Sequence, residues 1–156
     1  MKKFLFYFFL LLSFRSFSQE VLKIDKEFDI QPSYTGVQGV EIFKVFVKVK
    51  NEKIGLEKAK KNVVQAILFQ GISGSGSVAP FLTISELDES RKVFFEKFFE
   101  KKEYLKFVNI ANDGTIGPGD FKRVGKMYRI GYLLKVEKAQ LRRYLEENGI
   151  IRKLGL

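Results

Sequence analysis

The sequence predicts an α+β fold, an α/β sandwich in which one mainly antiparallel sheet is covered by helices on one face. Residues 42–50 and 128–136 alternate apolar and other side chains with the period of two expected of half-buried strands. Segments beginning near Leu56, Ser85 and Leu141 repeat apolar residues at helical spacing. The resulting order is strand, helix, helix, strand, strand, helix, which favours a sheet with one covered face.

Composition limits the chemistry that this chain can perform. The chain has 156 residues, a formal net charge of +10, no His and no Cys. One domain is the default at this length. Without His or Cys there is no Ser-His triad, Cys-His dyad, disulfide, or metal site built from thiolate or imidazole. We therefore expect a non-enzymatic protein without a cofactor or metal.

The first eighteen residues have the pattern of a signal peptide. A basic start is followed by the unbroken apolar run 4–12, and Ser16 and Ser18 supply the small residues that signal peptidase requires. The alternative is a membrane anchor, but Arg15 ends the stretch before the roughly 20 residues needed to cross a bilayer. The sequence therefore predicts export, cleavage before Gln19, and a mature domain of residues 19–156 in the periplasm or at the outer membrane.

The mature chain begins with polar, turn-rich residues 19–39, which predict an irregular lead-in or one short edge strand. The next segment, residues 42–50, is a clear strand. Its alternate positions are apolar, and Lys44, Lys48 and Lys50 occupy the polar face.

A helix is predicted from Leu56, with Glu57 and Lys61 spaced for an i,i+4 ion pair and Gly71 as its stop signal. Residues 71–77 are rich in Gly and Ser. They follow a helix and contain no Lys, so a flexible connection is favoured over a phosphate-binding loop.

The second predicted helix begins at the capping pattern Ser85 to Asp88. Its four phenylalanines are expected on one face, with at least two rings buried. Packing of this stripe onto the sheet is favoured, and an exposed aromatic ridge that binds a partner is the alternative. The stripe consists of Phe94, Phe95, Phe98 and Phe99.

Residues 104–111 could continue this helix or form a strand, and a strand is favoured because a turn follows.

Residues 112–120 contain Asp113 and Asp120, a spacing that suggests calcium. The EF-hand ligand positions are not filled, so a hairpin connection is favoured. The last helix is expected to end before Gly149, with Ile150 making the hydrophobic contact of a C-cap.

Residues 40–151 resemble a known kind of exported domain. The resemblance rests on the strand ending in lysines, the helical segment 59–66, the aromatic helix, the segment 124–132, and the final helix 141–150. In this pattern the chain is similar to the amino-terminal domain of flagellar assembly protein T and to related periplasmic lipoproteins of Gram-negative envelopes. The resemblance implies a non-catalytic accessory module. The chain departs from the lipoproteins because it lacks their lipidated Cys.

Two functions remain open at this point. The favoured one is an exported, non-catalytic interaction or assembly module of a Gram-negative-type cell envelope, whose partners are other envelope proteins. The alternative is a periplasmic binder of an anionic glycan or lipid headgroup, because the chain is basic. Nucleic acid is a poor candidate for an exported protein. The candidate anion-binding face comprises Lys44, Lys48, Lys50, Lys58, Lys60 and Lys61.

Overall fold

The computed structural model describes residues 29–35, 38–74 and 77–154. The predicted signal peptide, its cleavage site and residues 19–28 of the lead-in lie outside the described residues. Part of the Gly/Ser-rich segment 71–77, Ser75 and Gly76, lies outside them as well.

Within the described residues a five-stranded antiparallel sheet and three α-helices form an α+β fold, which confirms the predicted fold class. The strands are β1 (Asp29–Thr35), β2 (Glu41–Val49), β3 (Val108–Ile110), β4 (Phe121–Val124) and β5 (Met127–Val136). The α-helices are α1 (Gly55–Gln65), α2 (Glu89–Glu100) and α3 (Lys138–Glu147). Strands β2 and β5 pair along their length at the centre, and β1 pairs with the free side of β2. Of the two possibilities for the lead-in, residues 29–35 therefore form the edge strand.

Strands β3 and β4 both pair with β5 and run in the same direction along it, opposite residues 134–136 and 127–130. They form one interrupted edge strand, and residues 111–120 are inserted in its middle. The predicted hairpin connection at 112–120 is therefore wrong. The tight turn lies instead between β4 and β5, at Gly125 and Lys126, where Gly125 takes the positive φ of 62° that a two-residue hairpin needs.

Strand β2 confirms the predicted period of two, because Phe43, Val45, Val47 and Val49 are buried in the core. The first helix, α1, covers this face of the sheet and continues as a π-helical turn over Ala66–Gln70. It stops at Gly71 as predicted, where φ is 73°. No helix of the described residues is long and apolar enough to cross a membrane.

The start of α2 differs from the prediction. Ser85 lies in a short 3-10 turn, and Asp88 is the N-cap, whose carboxylate accepts a hydrogen bond from the backbone N–H of Arg91 at 2.8 Å. An acid at this position also interacts favourably with the helix dipole. The helix therefore begins at Glu89.

The phenylalanine stripe of α2 is largely buried, as predicted. Phe95, Phe98 and Phe99 belong to the core, and Phe94 is half-buried against it. Their rings contact other helical segments: Phe95 packs edge-to-face on Phe69, with ring centres 4.9 Å apart. The interior of the helical layer is therefore strongly aromatic.

After α2 the chain turns through Lys102, which has a left-handed φ of 55°. The strand expected over 104–111 is only partly correct. Glu103–Phe107 form a 3-10 helix, and the strand is limited to Val108–Ile110. Burial of Tyr104 and Phe107 in the core fits the helical spacing of three, because a strand would place residues three apart on opposite faces.

The end of α3 confirms the predicted C-cap. Gly149 has a φ of 68°, and the backbone N–H of Ile150 donates to the carbonyl oxygen of Leu145 at 2.9 Å. Ile150 and Leu145 are both buried in the core. This is the Schellman arrangement with its hydrophobic contact.

Candidate functional site

The sheet face opposite the helices, here called the outer face, is not covered by a helix of the residues that the structure describes. Alternation along β2 and β5 places their remaining side chains there, and the cross-strand register aligns them in pairs. From β2 these are Ile42, Lys44, Phe46 and Lys48, and from β5 they are Met127, Arg129, Gly131, Leu133 and Lys135.

Phe46 lies at the centre of the outer face. The ring is only 8% exposed, although it is not part of the core cluster. It stands directly opposite Gly131, and a Cβ on that glycine would lie 2.6 Å from Cε1 of the ring. The absence of a side chain at Gly131 therefore makes room for the phenylalanine ring on the strand surface.

A guanidinium group packs over the same ring. The Cζ atom of Arg129 lies 3.7 Å from the centre of the Phe46 ring, which is a close cation–π contact. The Arg129 Nη2 atom also donates to Oδ2 of Asp29 at 3.2 Å. These two contacts hold the arginine flat against the sheet.

A second ion pair lies beside the ring. Nζ of Lys44 is 2.8 Å from Oδ1 of Asp120, whose side chain is largely buried. Asp120 belongs to the loop inserted between β3 and β4, and its backbone carbonyl accepts a hydrogen bond from the N–H of Gly131 at 2.7 Å. The inserted loop therefore folds back to the outer face and fixes Lys44.

Partly exposed apolar side chains lie between these cations. Ile42, Met127 and Leu133 are each half-buried, and none belongs to the core cluster. Directly opposite Leu133 on the neighbouring strand is Lys44. The outer face thus combines apolar contact area, an aromatic ring and a positioned arginine, which are features of protein-binding surfaces.

The structure separates the six lysines of the candidate anion-binding face. Lys44 and Lys48 lie on the outer face, where Lys44 is paired with Asp120 and Lys48 is exposed. Lys50 is exposed just beyond the end of β2. From α1, Lys58 reaches this end of the strand and donates to the carbonyl oxygen of Lys48, with an Nζ–O distance of 3.4 Å.

Lys60 and Lys61 belong to the helical layer on the opposite side of the sheet. The expected pair between Glu57 and Lys61 is not formed, because Glu57 bonds to Lys102, with Oε1 and Nζ 2.7 Å apart. Nζ of Lys61 lies instead 5.7 Å from the centre of the Phe99 ring. The structure therefore brings Lys48 and Lys58 together but does not place Lys60 and Lys61 with them.

Phe46 and Arg129 are not recognisable as site residues in the sequence, and Asp120 stands out there only as a candidate calcium ligand. The available signal was a glycine, Gly131, inside an otherwise well-formed strand, which often marks close approach of another group. The partner of that glycine could only be identified once the register of β2 against β5 was known.

A shallow groove of about 460 Å³ lies between α3 and the 3-10 turn that precedes β3. On its wall the hydroxyl of Tyr144 donates to Oε2 of Glu103 at 2.7 Å. This hydrogen bond lowers the pKa of the Glu103 carboxyl. Burial, together with the same carboxylate, raises the pKa of Tyr144 to about 12. Both groups thus keep their ordinary charge at neutral pH. The groove is lined by Lys106, Phe107, Gln140, Arg143, Tyr144 and Glu147.

The acidic groups of the inserted loop have local partners. The carboxylate of Asp113 accepts the N–H of Thr115 at 3.0 Å, and hydrogen bonding to Thr115 lowers the pKa of Asp113. Asp120 is paired with Lys44. Among the described residues no three acidic, His or Cys side chains are grouped so that they could hold a metal ion.

Two buried amides on α1 are also notable. Asn62 and Gln65 are 3% and 1% exposed, and within the described part of the chain their amide nitrogens have no hydrogen-bond partner. A buried amide nitrogen without a hydrogen-bond partner reduces the stability of the fold, because the hydrogen bonds that it made to water are lost and not replaced.

Comparison of the chain with protein-family models, with characterised proteins and with solved structures finds no match. The resemblance to the flagellar assembly protein T domain therefore stays a prediction.

Proposed function

We propose that the mature chain is an exported, non-catalytic module of the bacterial cell envelope that binds another envelope protein through the outer face of its sheet. The observation that carries this proposal is the packing of Arg129 on Phe46 beside half-buried apolar side chains, on a sheet face that no helix of the described residues covers.

The geometry supports protein binding because the contact groups are already ordered. Arg129 is held by a ring and by Asp29, and Lys44 is held by Asp120. Binding costs less side-chain entropy when such long cations are fixed beforehand. Aromatic and arginine side chains are also enriched among the residues that dominate interface energies.

The placement of the lysines favours protein binding over the binding of an anion by the six-lysine face. The charge of Lys44 is compensated by Asp120, and Lys60 and Lys61 lie on the helical side. A single ligand on the outer face would therefore reach only part of the six-lysine set.

Leu133→Ser tests the proposal, because Leu133 is half-buried on the outer face and outside the core. Tagged mature protein is used to capture partners from envelope extracts, at low and at high salt. We expect a partner that stays bound to the parent protein at high salt and is not captured by Leu133→Ser. Truncating an apolar anchor typically weakens binding by roughly tenfold or more.

The matched control is Leu154→Ser, the same change at an exposed leucine near the end of the described chain. This control should capture the partner as the parent does. Equal capture by all three proteins, or loss with the control alone, would contradict the proposal.

A further inference from the structure

The end of the sheet at which β2 and β4 finish and β5 begins is strongly basic. The register places Val49 opposite Tyr128 and Val124 opposite Met127, so these strand ends meet at one edge of the fold. The strands and turns here carry seven cationic residues of the described chain, together called the basic end: Lys48, Lys50, Lys53, Lys122, Arg123, Lys126 and Arg129.

Few carboxylates offset this charge. In the described strands and turns at this end the acids are Asp29 and Glu52, and Asp29 is already paired with Arg129. The net charge of the basic end is therefore strongly positive, and its field attracts anionic surfaces over about a Debye length.

Exposed apolar side chains lie among these cations. Ile54 is 55% exposed in the turn after β2, and Phe121 and Val124 are 43% and 47% exposed on β4. All four residues of β4 are exposed, and the Gly125–Lys126 turn follows them directly. Large apolar side chains that remain in water among lysines and arginines are the pattern of a surface that touches a membrane.

We infer that the basic end docks the protein on an anionic lipid membrane, with the β4–β5 hairpin inserted at the headgroup level. Lys122, Arg123 and Lys126 contact lipid headgroups, and Val124 enters the boundary between headgroups and acyl chains. The positive charge of the basic end is complementary to an anionic membrane. The exposed apolar side chains Ile54, Phe121 and Val124 favour a lipid surface over a soluble polyanion. This inference goes beyond the proposed protein partner, because it assigns the lipid contacts to the β4–β5 hairpin. Lys48 and Arg129 belong to both the outer face and the basic end.

Vesicle co-sedimentation tests the electrostatic part. The mature protein is mixed with vesicles of phosphatidylcholine and phosphatidylglycerol, and with vesicles of phosphatidylcholine alone. Binding should be confined to the anionic vesicles and should weaken with added salt. The triple variant Lys122→Gln, Arg123→Gln, Lys126→Gln should bind about a hundredfold more weakly, since each cation near such a surface contributes about fivefold.

The matched control changes three exposed lysines on and just after α2 by the same charge: Lys92→Gln, Lys97→Gln and Lys101→Gln. This control should lose much less binding than the hairpin variant. Equal losses would mean that net charge alone drives association, and undiminished binding of the hairpin variant would place the contact elsewhere. Either result overturns the inference.

A tryptophan reporter tests insertion, because the native chain has no Trp. In Val124→Trp the fluorescence should shift to shorter wavelength on anionic vesicles, since the indole leaves water. Val93→Trp, at an exposed position on α2, should not shift. An unshifted Val124→Trp on protein that co-sediments, or heparin binding as tight as vesicle binding, would show recognition of anionic charge without lipid insertion and would overturn the inference.

The two proposals fail separately. Leu133→Ser should leave vesicle binding unchanged, because Leu133 lies outside the basic end. A protein that captures its partner but ignores anionic vesicles would refute membrane docking alone.

Discussion

Gly131→Ala tests how the outer face is built. A Cβ at this position would lie 2.6 Å from Cε1 and 3.0 Å from Cδ1 of Phe46, and 3.2 Å from Cβ of Asp120. Ordinary carbon contacts are about 3.5–4.0 Å, so the ring has to move by about 1 Å. The Arg129 guanidinium packed on that ring has to move with it.

The expected cost combines two opposing effects. Overpacking typically costs about 1–3 kcal/mol, whereas replacing a strand glycine by alanine gains about 0.5–1 kcal/mol. We expect a net loss of about 1–2 kcal/mol in the free energy of unfolding, or roughly 3–6 °C in Tm for a chain of this size. Thermal unfolding followed by circular dichroism measures this directly.

The same substitution in a Phe46→Val background serves as the control. The smaller side chain leaves room for the new Cβ, so Gly131→Ala should become neutral or stabilising there. An equal loss in both backgrounds, or a higher Tm in the parent, would refute the packing of Phe46 over Gly131.

Four further substitutions test the interior and the groove. Phe98→Ala should cost about 3–5 kcal/mol by urea denaturation, because this buried ring contacts five other rings. The half-buried Phe94→Ala should cost less, and equal losses would contradict this ranking. Gln65→Met should raise stability by about 1–2 kcal/mol, because a buried amide nitrogen without a hydrogen-bond partner is removed; a lower Tm would show that this nitrogen has a partner. Tyr144→Phe should lower stability at neutral pH, because the hydroxyl stabilises the ionised Glu103. The lowered pKa of Glu103 makes this stabilisation present above the pKa of the unfolded state, about 4.3, and lost as the pH falls through the folded value. A stability difference that stays constant between neutral and acid pH would contradict that origin.

The elements with strong local patterns could be predicted from the sequence. Strand β2, helix α1, strand β5 and the C-cap of α3 each follow from spacing that one buried face requires. The order of these elements was enough to predict an α+β sandwich, because a sheet with apolar residues on one face needs helices to cover it.

The remaining features depend on contacts that are distant in sequence. All four residues of β4 are exposed, so no alternation marks it as a strand. The 3-10 turn at Glu103–Phe107 is similarly short and has no cap signal of its own. The sequence places the start of α2 too early, because Ser85 and Asp88 have the spacing of a capping box. In the structure Asp88 is itself the N-cap.

The sequence predicts only part of the outer face. Its lysines could be assigned to one side of β2 by alternation, since Lys44 and Lys48 share a face. The ion pair of Asp120 with Lys44 and the stacking of Arg129 on Phe46 cannot be predicted from the sequence. Both contacts depend on the register of strands that are joined by long connections.

Site-specific photo-crosslinking in cells that express the protein tests the central proposal, that the outer face binds a partner protein. A photoreactive residue is introduced at position 133 on the outer face, and in separate variants at positions 97 and 154, which lie elsewhere on the exposed surface. The proposal predicts one discrete protein adduct from position 133 and none of that mass from the other two. Adducts of equal yield from all three positions, or a discrete adduct only from position 97 or 154, would contradict it.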